Sequence, residues 1–208
     1  LAELARGMAV RQPAIAQRAV VVARDLDDAR HGLAEIARGA SEGSDQAVFG
    51  APVGRGKLVF VFPGQGSQWP DMSRALLAES SVFRASLAAC EAALAPHVDW
   101  SVGAVLRGEA DVELLHRVDV VQPTLFAMMV SLANSWIALG VEPDLVIGHS
   151  QGEIAAAHIA GILTLEEAAR IVALRSKVIK SLSGSGAMAS VSLDRASVLG
   201  HVAAAPLV

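Results

Sequence analysis

Leu145-Val146-Ile147-Gly148-His149-Ser150-Gln151-Gly152-Glu153 decides the fold. A short apolar run stops in Gly-x-Ser-x-Gly and gives way to a stretch rich in alanine, residues 153–160, that reads as a helix. Strand, sharp turn and helix in that order form a nucleophile elbow. The turn lifts the serine into a strained position, and the flanking glycines let neighbouring backbone pass without a Cβ clash. The helix that follows aims its unpaired N–H groups and the positive end of its dipole at the hydroxyl. The five-residue pattern also occurs in ordinary tight turns; the strand before it and the helix after it are what single it out.

Upstream, Leu58-Val59-Phe60-Val61-Phe62 is a second continuous apolar run, the pattern of a strand buried on both faces, and it breaks into Pro63-Gly64-Gln65-Gly66-Ser67-Gln68-Trp69. Helical patterns are expected at 72–77, 81–94, 112–115 and 123–139. Another begins at Thr164-Leu165-Glu166-Glu167, a capping box, and runs to about Lys180. Residues 181–186 read as a turn, 188–193 alternate like a strand, and Asp194 is placed to cap a last helix. The repeated order argues an α/β fold with a parallel sheet and helices on both faces. Residues 1–50 form a smaller α/β piece: a helix at 1–10, a β-rich run at 19–23, and an amphipathic helix at 25–38 with Leu26, Ala29, Leu33 and Ile36 on one stripe. The Gly- and Ser-rich stretch 39–56 marks a boundary. The first piece is too poor in apolar residues for a core of its own and is expected to pack on something else.

Composition excludes several classes. Of 208 residues, 53% are hydrophobic and 18% charged, with a net charge of −4, which excludes a disordered chain and argues against binding the phosphate backbone of nucleic acid. One cysteine, Cys90, excludes an internal disulfide framework and a Cys-based zinc cluster; it reads as a buried small residue, and a cytoplasmic setting follows. No metal site and no bound cofactor are expected. The uncharged stretch 120–141 is long enough to span a bilayer, but Gln122, Pro123, Thr124, Ser131, Asn134 and Ser135 interrupt it, so it reads as a buried helix of a large domain rather than a membrane span. The N-terminus carries charges throughout and is no signal peptide.

A serine nucleophile needs a base. His149 adjoins Ser150, but consecutive residues of a sharp turn point apart, so it is expected to buttress the elbow. His158, eight residues on, is roughly 12 Å away along the helix. His31, His97, His116 and His201 offer no route. Gly64-Gln65-Gly66 frees the Gln65 backbone N–H to point into a cavity, and Gln151 supplies the N–H after the nucleophile; acyl chemistry requires two such donors for an oxyanion. A plain structural turn explains the Gly-Gln-Gly stretch equally well when it is taken alone. Arg175 lies beside an apolar stripe of Ala168, Ile171, Val172 and Val178; by itself this reads as a snorkelling surface arginine.

Four ordered motifs then resemble the acyltransferase domains of modular type I polyketide synthases, relatives of malonyl-CoA:acyl-carrier-protein transacylase. They are residues 62–69, Gln122-Pro123, residues 148–153 and Arg175. The resemblance covers about residues 57–193, and residues 1–50 resemble part of a ketosynthase–acyltransferase linker. It implies an α/β-hydrolase-like core. It also implies a linker domain over 1–56, a large subdomain over 57–186 and the start of a small ferredoxin-like subdomain over 187–208. Ser150 would take an acyl group from a CoA thioester and pass it to the phosphopantetheine thiol of an acyl carrier protein. The N–H groups of Gln65 and Gln151 would form the oxyanion hole. Arg175, at the family's spacing from the serine, would grip the free carboxylate of a malonyl-type unit, while Gln122, His149 and Gln151 would line or shape the pocket. Gln151 and residues 117–122 resemble the methylmalonyl-selective form, so methylmalonyl-CoA is expected ahead of malonyl-CoA.

The resemblance also implies partners: an acyl carrier protein, the adjacent ketosynthase and the remainder of the acyltransferase. The family's catalytic histidine lies beyond the small subdomain, so the chain is expected to be a fragment lacking its base and to be a poor catalyst alone. Three other readings stay open: an α/β-hydrolase or thioesterase that uses water as acceptor, a malonyl-specific acyltransferase, and an inactive scaffold fragment. The first leaves Arg175 and the Gly-Gln-Gly turn unexplained.

Overall fold

Arg18–Val21 (β1) pairs antiparallel with Ala47–Gly50 (β2), Arg18 opposite Gly50 and Val21 opposite Ala47, in the computed structural model of the chain. The structure describes residues 1–11, 17–39, 44, 47–51, 56–182, 184 and 191–202. It divides at Gly56/Lys57 into two units, Leu1–Gly56 and Lys57–Val208. The first unit also holds helices Ala2–Arg11 (α1) and Leu26–Ala37 (α2). Asp25 caps α2 by accepting from the backbone N–H groups of Asp27 and Asp28. Of the stripe expected to be buried in α2, Ala29 is buried, whereas Leu26 and Leu33 are exposed. Strand β2 lies inside the stretch read as a boundary; its apolar content is only Ala47, Val48 and Phe49, too short a run to stand out among glycines and serines.

In the second unit, Val59–Phe62 (β3) runs parallel to Leu145–Gly148 (β4), with Val61 opposite Ile147 and Phe62 opposite Gly148. Between them come helices Arg74–Glu79 (α3), Ser81–Leu94 (α4), Val102–Leu106 (α5) and Val118–Ala138 (α6), with 3-10 turns at Ala95–His97 and Val112–His116. After β4 follow Gly152–Ile159 (α7), Leu165–Ser181 (α8) and Arg195–Val202 (α9). The expectation that the β3 strand is buried on both faces is corrected. Phe60, Phe62 and Val146 turn toward the helices, whereas Val61 (67% exposed) and Ile147 (56% exposed) form an apolar face that no described residue covers. Helices therefore cover one face of this sheet, not two, among the described residues. A run of β-branched and aromatic side chains looks the same whether one face or both are covered.

Helix α6 is the centre of the core. Residues 119–131 are all buried, and α6 packs against α4 and α8. It is the one described helix long and apolar enough to cross a membrane by length and composition, and it lies mostly inside the protein. The sequence reading starts it at Pro123; the structure starts it at Val118. Proline removes one N–H from a helix interior, and its fixed φ is otherwise compatible with the helix. Here the first turn is already closed upstream, where the Arg117 carbonyl accepts from the N–H groups of Val120 (3.0 Å) and Val121 (2.8 Å). Cys90, in α4, is wholly buried, and burial pushes its thiol up to about 12.

Helix α8 starts at the expected capping box: Thr164 Oγ1 accepts from Glu167 N (3.1 Å) and Glu167 Oε2 accepts from Thr164 N (2.9 Å). Its buried face consists of Ala168, Ala169, Val172, Ala173 and Ser176; Ile171 and Val178, assigned to that stripe from the sequence, are exposed. Small residues let α8 approach α6 closely, so alanines outcompete the larger apolar side chains for the interface. Asp194 caps α9 by accepting from Ser197 N (3.0 Å). The strand expected at 188–193 begins outside the described residues.

The turn between β4 and α7 tolerates no side chain at two positions. A Cβ on Gly152 would collide with the carbonyl oxygens of Phe62 and Pro63, and one on Gly148 would meet the Glu153 backbone. Gly152→Ala is expected to cost about 3 kcal/mol or more, because backbone rather than a flexible side chain stands in the way. Gly140→Ala, in open space at positive φ, is expected to cost about 1–2 kcal/mol. Urea unfolding of both variants checks the order; equal costs contradict the steric account.

Candidate active site

Ser150 sits at φ +55°, one of two non-glycine residues at positive φ among those described, at the point where β4 ends and α7 begins. Several hydrogen bonds hold it there. His149 N donates to the Phe62 carbonyl (3.0 Å), extending the β3–β4 pairing by one residue; Gly152 N donates to His149 O (2.9 Å) and Glu153 N to Ser150 O (3.1 Å). Left-handed backbone at a serine is strained by roughly 1–3 kcal/mol and persists where its surroundings over-determine it. Here they do, because Gly152 is wedged against the end of β3.

The same wedge brings the loop after β3 beside the elbow. Gly66 (φ +115°) closes this loop, with its N–H donating to Gln68 Oε1 (2.9 Å). The backbone N–H of Gln65 meets no acceptor among the described residues, and neither does that of Gln151. These are the two donors that the sequence nominated for an oxyanion. The His149 ring lies against Gly64, where a Cβ would stand 2.8 Å from its Nδ1. The Gln151 side chain is fully buried, and its Oε1 and Nε2 have no partner among the described residues.

Arg175, on α8, faces the serine. Its Nη2 donates to Ser150 Oγ (3.3 Å) and its Nη1 to Gln122 Oε1 (2.8 Å); Gln122 Nε2 in turn lies 3.4 Å from Gln65 Oε1. The guanidinium therefore does not snorkel into bulk water. It forms one end of a chain of polar groups from α8 through α6 to the β3 loop, with Ser150 alongside. No carboxylate pairs with Arg175 among the described residues, so its positive charge is left to whatever anion enters.

The other charged group nearby is fully committed. Asp119, in the first turn of α6, accepts from Arg117 Nη2 (2.7 Å) and Nε (3.2 Å) and from Lys180 Nζ (2.8 Å) on α8. These bonds, Arg117 first, hold the Asp119 carboxyl down at about 2. The sequence reading used residues 117–122 for their resemblance and missed this cluster. Asp119 and Lys180 are 61 positions apart, and nothing local signals that they meet.

None of the described histidine rings is hydrogen-bonded to the hydroxyl. His158 Nδ1 bonds to the Leu163 carbonyl (3.1 Å), and His31 lies 3.7 Å from Glu35 in the first unit. The side chain of His201 lies outside the described residues. Among the described residues no histidine ring bonds to Ser150 Oγ, and no group of His, Cys, Asp and Glu could hold a metal ion.

Comparison with known proteins places these residues in a family. The acyl transferase domain model matches residues 59–206. Polyketide synthase GfsA of Streptomyces halstedii is 52% identical over 97% of this chain, which spans 3% of that protein. The crystal structure of the acyltransferase domain from module 8 of the salinomycin polyketide synthase is 46% identical, with a TM-score of 0.84, over 98% of this chain and 48% of that one. The acyl transferase domain of SpnD, solved in complex with 2-(pent-4-yn-1-yl)malonyl, is 30% identical with a TM-score of 0.71 over 87% of this chain and 41% of that one. The chain thus spans about half the length of the solved domains that it matches and a small part of the full synthases.

The Asp119 cluster makes a pH-dependent contribution to stability. Its folded value of about 2 lies below the ordinary 3.8, so the contribution is present above 3.8 and is lost as pH falls toward 2. Asp119→Asn is expected to destabilise the protein at neutral pH, with the gap to the parent narrowing in acid. Urea midpoints taken stepwise from neutral pH to about pH 3 check this; a gap that stays constant contradicts it.

Proposed function

This chain belongs to the acyl transferase domain family, and on that premise we propose that it carries the nucleophile side of a polyketide synthase acyltransferase site that loads a methylmalonyl extender unit. Ser150 Oγ attacks the thioester carbonyl of methylmalonyl-CoA and loses its proton to a base, which we assign to a residue outside the described ones. The oxyanion of the tetrahedral intermediate lies on the backbone N–H groups of Gln65 and Gln151. The C–S bond then breaks, CoA leaves as its thiol, and the acyl group remains as an ester on Ser150. The phosphopantetheine thiol of an acyl carrier protein attacks that ester, forms the new thioester and returns the proton to the serine.

One observation carries this reading: the Arg175 guanidinium lies 3.3 Å from Ser150 Oγ and is unpaired with any described carboxylate. In a malonyl-type unit the free carboxylate stands two bonds from the carbonyl carbon that the serine attacks. A cation at this distance suits that short span and gives a monocarboxylic acyl group nothing to bind. Gln122 Oε1 holds the empty guanidinium in place at 2.8 Å and would yield it to the stronger carboxylate acceptor. The methyl preference is supported by Gln151 and by residues 117–122, which resemble the methylmalonyl-selective form. The similar SpnD acyl transferase domain, solved in complex with a 2-substituted malonyl, supports an α-substituent as well. A single methyl is worth only ~1–3 kcal/mol, so malonyl-CoA is expected as a slower substrate. An acyl carrier protein and an adjacent ketosynthase are the proposed partners. A thioesterase acting on a monocarboxylic acyl group would leave this cation unused.

The test uses the complete domain. Methylmalonyl-CoA should add its acyl mass to Ser150 and transfer it to carrier protein. Arg175→Ala should lower kcat/KM for methylmalonyl-CoA by about 100-fold, the loss of two charge-assisted hydrogen bonds, while propionyl-CoA loses nothing. Labelling by acetyl-CoA but not by methylmalonyl-CoA contradicts the proposal, and steady release of free acid without transfer favours a hydrolase.

A further inference from the structure

Two polar links join α6 to α8. One is Gln122 to Arg175, at the site; the other, a turn earlier on α6 and later on α8, is Asp119 to Lys180. The order reverses between the helices, as it must where two helices run antiparallel. The buried residues of α8 are otherwise small or apolar, Ala168, Ala169, Val172, Ala173 and Ser176, and α6, on which α8 packs, is buried from 119 to 131. Apolar burial is non-directional and favours contact without choosing which polar groups meet. A directional ion pair does set register. The carboxylate is 9% exposed and Lys180 half exposed, so the pair escapes the full screening that makes surface ion pairs weak. Arg117 holds the same carboxylate through two further bonds, and Asp119 is not paired with Arg175.

We propose that Asp119 and Lys180 are positioning residues for carboxylate recognition: their link fixes the axial register of α8 on α6 and so aims the Arg175 guanidinium at the acyl group on Ser150. This rests on the carboxylate-binding reading of Arg175. Arg175 is a long side chain whose tip must meet a short anion, and a shift of α8 by a fraction of a turn carries it off Gln122 and Ser150 together. The substrate feature that the Asp119–Lys180 link serves through Arg175 is thus the carboxylate, beside whatever residues 117–122 contribute to the α-methyl preference.

In the complete acyltransferase domain, Lys180→Met and Asp119→Asn should each raise KM for methylmalonyl-CoA about five- to tenfold with a smaller change in kcat, and leave propionyl-CoA kinetics unchanged. The double variant should lose little more than either single one, since one link is broken in all three. Lys180→Arg, which keeps the charge and the reach, should restore KM and stands as the check if Asp119→Asn folds poorly. Equal losses for both acyl-CoA substrates, or a lowered melting temperature with the discrimination intact, overturn the proposal. Arg175→Ala in the same assay separates the two readings. If it abolishes discrimination while Lys180→Met does not, only the positioning role fails; if it too leaves discrimination intact, the carboxylate reading fails with it.

Discussion

The backbone of Gly152 lies against the carbonyl groups of Phe62 and Pro63, and no Cβ fits between them. That contact sets three things at once. It ends the β3–β4 pairing one residue beyond the strands, at the hydrogen bond from His149 N to Phe62 O. It forces the chain to turn through a left-handed Ser150 before α7 can begin. It also holds the Gly64-Gln65-Gly66 loop next to the elbow, with the His149 ring against Gly64. Steric exclusion by backbone is a stiff constraint, which suits a position where a misplacement of about 1 Å weakens catalysis.

On the proposed reading the elbow supplies a nucleophile and oxyanion donors, but nothing in it grips a carboxylate. Under the proposed function carboxylate selection enters from α8, whose small-residue face packs on α6 with Arg175 bonded to both Gln122 and Ser150. The positive charge of Arg175 stands among hydrogen-bond acceptors rather than carboxylates, while Asp119 is paired with Arg117 and Lys180. A cation kept free in this way is poised for an anionic ligand, and the division of charges between the two helices is what keeps it free.

How much was legible in the sequence depended on how local each feature is. The elbow, the capping box at Thr164 and the bounds of α4 follow from patterns within a few residues, and each stands where those patterns put it. Strand β2 and helix α5 are four and five residues long, too short for a period to emerge. The upstream turn of α6 was hidden by Pro123, because a proline marks a helix boundary unless burial on other helices sustains the turn before it. The phase of α8 was misjudged at Ile171 and Val178, since hydrophobicity alone does not reveal that alanines make the close interface. The partners of Arg175 were accessible only through the family resemblance, and the Asp119–Lys180 link not at all, because contacts between distant helices depend on tertiary packing.

The central claim is that Arg175 and Ser150 hold opposite ends of one short diacid. A crystal structure of the complete domain with Ser150 esterified by methylmalonyl tests it most directly. The account predicts the free carboxylate within ~3 Å of the Arg175 guanidinium, with Gln122 Oε1 displaced from Nη1. A carboxylate turned away from Arg175 and hydrated, with the Arg175–Gln122 bond intact, would contradict it.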